Sequence, residues 1–204
     1  MRAERISLER LLFPEGRKKL HDLAASIKQG AVFIYPTETI YGIGGLFGVQ
    51  GVEDRIFRIK QRQTDRRFIL IAADRSAFDT LHLAWPPSAI RLATAFWPGL
   101  LTLVLPGETG IETAIRISPH PCIIVLSTCL DSPVYSTSAN VSGTPYVNDS
   151  DTIYEQFKDA VDFMIDAGQL TESPPSTIVK ISRNNSISIL RHGAIDPELI
   201  RKAL

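Results

Sequence analysis

Short apolar runs separated by segments of helical stride constrain this chain more than any other feature. Residues 31–36 (AVFIYP) and 68–73 (FILIAA) are too brief for a helix and have no alternating polar face, which is the pattern of strands buried on both sides. Residues 15–29 place Leu20, Leu23, Ala24 and Ile27 at helical spacing before Gly30, a C-cap residue. Residues 52–59 repeat the helical stride. Strand and helix alternate, so the spacing predicts a mixed α/β sheet.

Further strands are predicted at 101–105, 114–118, 134–138, 162–165, 177–181 and 186–190, with Asn184 and Asn185 as a hairpin turn. Helices are predicted at 75–84, 88–96, 151–160 and 197–203, the last opened by Asp196 as N-cap and Pro197 at its first position. Residues 42–48 read as a glycine-rich loop fed by the first buried strand. Residues 121–130 (PCIIVLSTCL) fit two descriptions, since their β-branched content argues for a strand while their length and the Leu126/Leu130 spacing allow a helix. The fold class expected is α/β, a single-domain twisted mixed sheet with flanking helices.

Composition narrows the function classes. The 204 residues are 44% hydrophobic and 22% charged, enough to bury one core, and no Pro/Gly/Ser-rich linker or charge block divides them, so one domain is expected over residues 1–204. Twenty-two basic residues balance 22 acidic ones, so the chain as a whole has no electrostatic reason to seek nucleic acid or an anionic membrane, and affinity for phosphate must come from local clustering. No apolar run approaches the roughly 18 residues of a membrane span. Residues 1–16 contain only a three-residue apolar cluster, Leu11-Leu12-Phe13, among charges, too short for a signal-peptide core. Two cysteines, Cys122 and Cys129, have no His neighbours at zinc-ligand spacing, which points away from a disulfide framework or a metal finger. A cytoplasmic protein is expected.

Three local clusters carry chemistry. Residues 55–67 (RIFRIKQRQTDRR) hold six basic residues and one acid. If 52–59 is helical, Arg55 and Arg58 share a face, with Lys60 and Arg62 just past its end where both can be aimed at one phosphate; a solvated basic helix end explains Arg58 and Lys60 well but Arg62, Arg66 and Arg67 poorly. Residues 136–142 set Ser136, Thr137, Ser138, Asn140 and Ser142 after an apolar strand, either donors for a ligand's oxygens or backbone caps of a turn. Arg116, inside the apolar run 114–117, needs an anionic partner to offset its desolvation; that partner is a ligand or one of the chain's own acids. The glycines at 42, 44, 45 and 48 match neither the P-loop nor the GxGxxG pattern. No nucleophile elbow, HExxH or paired His is present.

In order, Tyr35-Pro36-Thr37-Glu38-Thr39-Ile40-Tyr41-Gly42-Ile43-Gly44, Lys60-Gln61-Arg62, Phe96-Trp97-Pro98-Gly99, Arg116 with His120-Pro121, Ser136-Thr137-Ser138-Ala139-Asn140 with Ser142-Gly143, Ser176-Thr177 and Arg191 with Gly193 resemble the YrdC-like family over about residues 20–195. Each piece is weak alone; the PT(D/E)T, KxR and SxN motifs in this order are specific. Two departures stand out: Gln63 follows KxR where the family usually has Pro, and Arg66-Arg67-Phe68 replaces a Lys-Pro-Leu-like run.

The resemblance implies a YrdC-like open α/β fold around a deep positively charged cavity, and an activity joining L-threonine, bicarbonate and ATP into threonylcarbamoyl-adenylate with release of pyrophosphate. Members of this length resemble the short bacterial threonylcarbamoyl-AMP synthases, without the C-terminal domain of longer relatives. Their product supplies the modification of adenosine 37 in transfer RNA through a separate threonylcarbamoyl-transferase complex. Carried over by motif, Thr37, Thr39, Tyr41, Arg116 and Ser176 would line the threonine pocket, and Lys60, Arg62, Arg66, Ser138, Asn140 and Arg191 would hold ATP, with Lys60 and Arg62 catalytic. Mg²⁺ would ride on the phosphates, since no carboxylate cage is evident. A second reading is a non-catalytic binder of transfer RNA or double-stranded RNA using the same cavity, against which the zero net charge argues. A third, a carbamoyl-transfer module as in hydrogenase maturation proteins, would sit in a much longer chain.

Overall fold

The computed structural model describes residues 2–61 and 68–204. Its elements in chain order are β1 (Glu4–Ser7), α1 (Leu8–Leu12), α2 (Arg17–Lys28), β2 (Phe33–Pro36), β3 (Tyr41–Gly44), α3 (Val52–Lys60), β4 (Ile69–Ala72), α4 (Pro87–Phe96), β5 (Leu101–Pro106), β6 (Glu112–Ile117), α5 (Pro121–Ser127), β7 (Val134–Ser138), α6 (Ser150–Phe157), β8 (Phe163–Asp166), β9 (Thr177–Ile181), β10 (Ile187–Arg191) and α7 (Pro197–Lys202), with 3-10 turns at Pro14–Gly16 and Arg75–Leu81.

The strands form one mixed sheet in the order β1-β8-β2-β3-β7-β4-β6-β5-β9-β10. Its seam is β7. Thr137 and Ser138 pair with Ile43 and Gly42 of β3, whereas Val134, Tyr135 and Ser136 pair with Ile71, Leu70 and Ile69 of β4. The polar residues that close β7 therefore lie where the two halves of the sheet meet.

Both faces of the sheet are covered, which explains the continuous apolar runs. Successive strand residues point to opposite faces, and Ile34, Leu70, Tyr135 and Met164 join one hydrophobic core while Phe33, Ile71, Val134 and Phe163 join the other. An alternating polar residue in these strands would be buried without a partner.

Four stretches differ from, or decide between, the sequence expectations. Residues 42–44 are strand, not loop: a Cβ on Gly44 would stand 2.1 Å from the Tyr135 carbonyl oxygen and 2.8 Å from the Tyr35 ring, so the glycine serves close approach of strands rather than a turn. The expected helix at 75–84 is a 3-10 turn, opened by the Asp74 carboxylate, which accepts from Ser76 N at 2.8 Å, and closed at His82 with φ of 47°. Residues 121–127 are helical, because His120 Nδ1 accepts the Cys122 amide at 3.2 Å as an N-cap and Pro121 takes the first position. At the N-terminus β1 and α1 were not anticipated, since β1 is short and charged and takes its register from β8. The hairpin turn is as expected, with Asn185 at φ of 64° and Ser182 N donating to Ser186 O at 2.9 Å. Among the described residues no helix is long and apolar enough to cross a membrane.

Candidate active site

The turn joining β2 to β3 is organised by one hydroxyl. Thr37 Oγ1 accepts from the amides of Thr39 and Ile40, both at 3.3 Å, and donates to Ile40 O at 2.7 Å, holding Thr37 and Thr39 buried at the end of the hairpin. Their side chains line a cavity of about 440 Å³ together with Arg116, Ser138, Ser176 and Arg191. The strands delivering these residues, β3, β7, β6, β9 and β10, extend from the seam to one edge of the sheet.

At the seam, Lys60 ends α3 with only 2% of its surface exposed. Its Nζ donates to Ser138 O at 2.5 Å, to Asn140 Oδ1 at 2.8 Å and to Ser138 Oγ at 3.3 Å. Ser138 Oγ donates to Asn140 Oδ1 at 2.5 Å, and Asn140 Nδ2 donates to Thr144 O at 2.6 Å. A buried ammonium needs such polar partners to offset its lost hydration. The Lys60 carbonyl in turn accepts Ser142 N at 3.0 Å, so the helix end and the segment after β7 are tied in both directions.

On the far side, Arg191 Nε donates to Ser176 O at 3.0 Å and its Nη2 to Ser176 Oγ at 2.9 Å, while Ser176 Oγ also meets Thr102 Oγ1 at 2.8 Å. Gly193 makes this possible: a Cβ there would lie 2.2 Å from Pro175 O. Burial lowers the Arg191 pKa, and the positive charge of Arg116 lowers it further. Two guanidiniums thus share one cavity, an arrangement that favours an anion between them. Arg116 has found its acid: Nη2 lies 2.6 Å from Glu38 Oε2, and Nε donates to Gly99 O at 3.1 Å. Of the two alternatives open for it in the sequence, the internal ion pair is present, and the residue also forms part of the cavity wall.

The residues expected around a ligand separate into three groups. Thr37, Thr39, Arg116, Ser138, Ser176 and Arg191 are together, with Lys60 and Asn140 bonded to Ser138. Tyr41 is not on the cavity wall: its phenol donates to Gly168 O at 2.7 Å and accepts the Ala167 amide at 2.9 Å. Because residues of a strand alternate between faces, Tyr41 and Gly42 cannot both face the cavity, and Gly42 does. Arg62 and Arg66 lie outside the described residues. Arg55 leaves the anticipated anion site for Asp162, with Nη1 to Oδ2 at 2.5 Å, and Arg58 is exposed. Glu38 went without a role in the sequence reading, although it stands between the two threonines; its position in that motif was the available signal.

Comparisons with known proteins agree with this architecture. The Sua5/YciO/YrdC family model, described as "Telomere recombination", matches residues 25–193. A threonylcarbamoyl-AMP synthase of Pyrococcus abyssi is 31% identical over 91% of this chain, and one of Bacillus subtilis 30% over 89%; the match spans 57% and 55% of those two proteins, a little over half their length. One from Pseudomonas fluorescens is 30% identical over 83% of this chain and 96% of its own. The crystal structure of P. abyssi Sua5 complexed with L-threonine superposes with a TM-score of 0.86 at 27% identity, covering 100% of this chain and 61% of that one. The E. coli YciO structure, at 24% identity and a TM-score of 0.80, shares the fold over 95% of this chain and 96% of its own. With the family model matching residues 25–193 and the structural likeness running through nearly the whole sheet, the chain belongs to the Sua5/YciO/YrdC family.

Proposed function

We propose that the chain makes L-threonylcarbamoyladenylate from L-threonine, bicarbonate and ATP, releasing pyrophosphate and water. The observation that carries this reading is the convergence of Lys60, Ser138 and Asn140 beside a cavity walled by Arg116 and Arg191. Two ligand ends of different chemistry fit it. A small amino acid suits the buried hydroxyls of Thr37, Thr39 and Ser176 with Arg116 for its carboxylate, and a triphosphate suits Lys60 and Arg191, with Arg62 and Arg66 assigned to it by motif.

The reaction asks little covalent help of the protein. The threonine nitrogen attacks bicarbonate and, with loss of water, becomes a carbamate; a carbamate oxygen attacks the α-phosphorus, and the bond to the pyrophosphate oxygen breaks. Such a transfer depends on holding the reacting atoms in line and on neutralising charge that grows on the phosphate oxygens. On this reading the Lys60 ammonium and the Arg191 guanidinium supply that positive charge. Mg²⁺ enters with the nucleotide, carried on its phosphates; among the described residues no cluster of three His, Cys, Asp or Glu side chains is available to hold it independently. The adenylate would then serve a separate transferase complex acting on transfer RNA, in the cytoplasm.

The test is to incubate the purified chain with ATP, Mg²⁺, L-threonine and ¹⁴C-bicarbonate. Threonine-dependent pyrophosphate and a labelled adenylate are expected. Pyrophosphate formed without threonine, or no labelled product, would overturn the assignment.

A further inference from the structure

We propose that Glu38 is a positioning residue that aims Arg116 into the cavity, a role that rests on the reading of this cavity as the site of L-threonine. Arg116 Nε donates to the Gly99 carbonyl at 3.1 Å, and Nη2 forms an ion pair with Glu38 Oε2 at 2.6 Å without hydrogen-bond geometry. Nη2 is fully covered, while the residue lines the cavity that Thr37 and Thr39 also face. Glu38 is itself fixed from behind, since Oε2 accepts Ser118 Oγ at 3.0 Å and Ser118 Oγ accepts the His120 amide at 3.1 Å.

The turn that supplies Glu38 also supplies Thr37 and Thr39 to the cavity wall. One four-residue turn thereby sets the distance between the hydroxyls that would meet the substrate and the guanidinium that would meet its carboxylate. Glu38 Oε1 is likewise buried and accepts no hydrogen bond. A buried carboxylate with an idle oxygen is a poor device for stability alone, because apolar residues of similar volume commonly do as well as a buried ion pair. Its place beside the cavity is accounted for by what it does to Arg116.

The sign of the effect separates this role from simple charge balance. Glu38→Gln removes a negative charge next to the cavity. If Glu38 only tempered the local potential, the variant would bind threonine's carboxylate and ATP more tightly. If Glu38 aims Arg116, the KM for threonine rises although the cavity has become more positive.

The experiment compares wild type, Glu38→Gln and Glu38→Asp. The expected result is a KM for threonine raised about tenfold or more in Glu38→Gln, with kcat and the KM for ATP within about twofold, and partial recovery in Glu38→Asp. A second measurement does not depend on catalysis: the Arg116 Nε–H, bonded to Gly99 O, should give a slowly exchanging ¹⁵N resonance in the wild type that is lost in Glu38→Gln. That readout also serves if the variant is less stable, because its folded state is judged from the dispersion of the same spectrum. An unchanged or lower KM for threonine together with an unchanged Arg116 resonance would sink the proposal. A wild type that binds no threonine, yet whose Arg116 resonance responds to Glu38→Gln, would instead refute the proposed function and leave the positioning of Arg116 by Glu38 standing.

Discussion

Lys60 and Asn140, eighty residues apart, meet through a 2.8 Å hydrogen bond from ammonium to carboxamide oxygen, with the Ser138 carbonyl 2.5 Å from the same nitrogen. The pairing joins the end of α3 to the segment leaving β7, next to Ser138 on the cavity wall. Had the two motifs pointed into different regions, no common ligand would have fitted both.

Lys60→Met keeps much of the side-chain length and removes the charge. It removes one of the donors of each acceptor, since Ser138 O keeps the Asn140 amide and Asn140 Oδ1 keeps Ser138 Oγ, at about 1.5–3 kcal/mol for each bond to the charged group. Threonine-dependent pyrophosphate release should fall by roughly 100-fold or more. Denaturant titration and a pyrophosphate assay on the same preparation separate the two losses, and an active Lys60→Met would contradict the role given to this residue.

Arg191→Lys tests geometry at constant charge. A lysine cannot bond Ser176 O and Ser176 Oγ as the guanidinium fork does. Substrate KM values should rise about tenfold, with the fold retained by circular dichroism.

Gly193→Ala should be destabilising by about 1–3 kcal/mol, since its Cβ would meet Pro175 O at 2.2 Å and the Ser176 carbonyl carbon at 2.6 Å. The backbone at 175–176 must then move, carrying Ser176 with it. Thermal melting with and without threonine measures both effects; full ligand-induced stabilisation in the variant would count against Ser176 as a contact.

Tyr41→Phe separates a structural phenol from a substrate contact. The hydroxyl bridges Gly168 O and the Ala167 amide, so the variant should lose about 1 kcal/mol of stability while threonine affinity stays nearly unchanged. A large loss of affinity at wild-type stability would return Tyr41 to the pocket.

His120 gives the fold a pH dependence. Burial lowers its pKa most, the charge of Glu38 opposes that shift and the charge of Arg116 adds to it. The unfolded chain takes up a proton near pH 6.5 while the folded chain resists it, so the contribution is complete above about pH 6.5 and is lost as pH falls through the lower folded-state value. His120→Asn keeps an N-cap for α5 and should flatten the stability profile below pH 6.5; an unchanged slope would exclude this group as its source.

Much of the fold was legible because both sheet faces are buried. Runs such as 68–73 can be nothing but interior strand, and Asp196-Pro197 and Asn184-Asn185 carry their conformations in their own chemistry. The strand at 41–44 was hidden because Gly44 answers to a Tyr135 backbone that is distant in sequence. The site divided along similar lines. Thr37, Thr39, Ser138, Ser176 and Arg191 sit in short polar motifs at strand ends, where a motif is readable locally. The departure of Arg55 to Asp162 and of Tyr41 to Gly168 followed from partners more than a hundred residues away.

By itself the sequence determined the alternation of strand and helix, the caps and turns, and which residue types could meet an anion, since these depend on side-chain periodicity and on bonds between near neighbours. Only the tertiary structure decided that β7 joins two half-sheets, that Lys60 reaches Asn140, and that the acid serving Arg116 is Glu38. Those pairings are choices among the chain's many acids and hydroxyls, and they are made by sheet order and burial, which bring groups from opposite ends of the chain within hydrogen-bond distance.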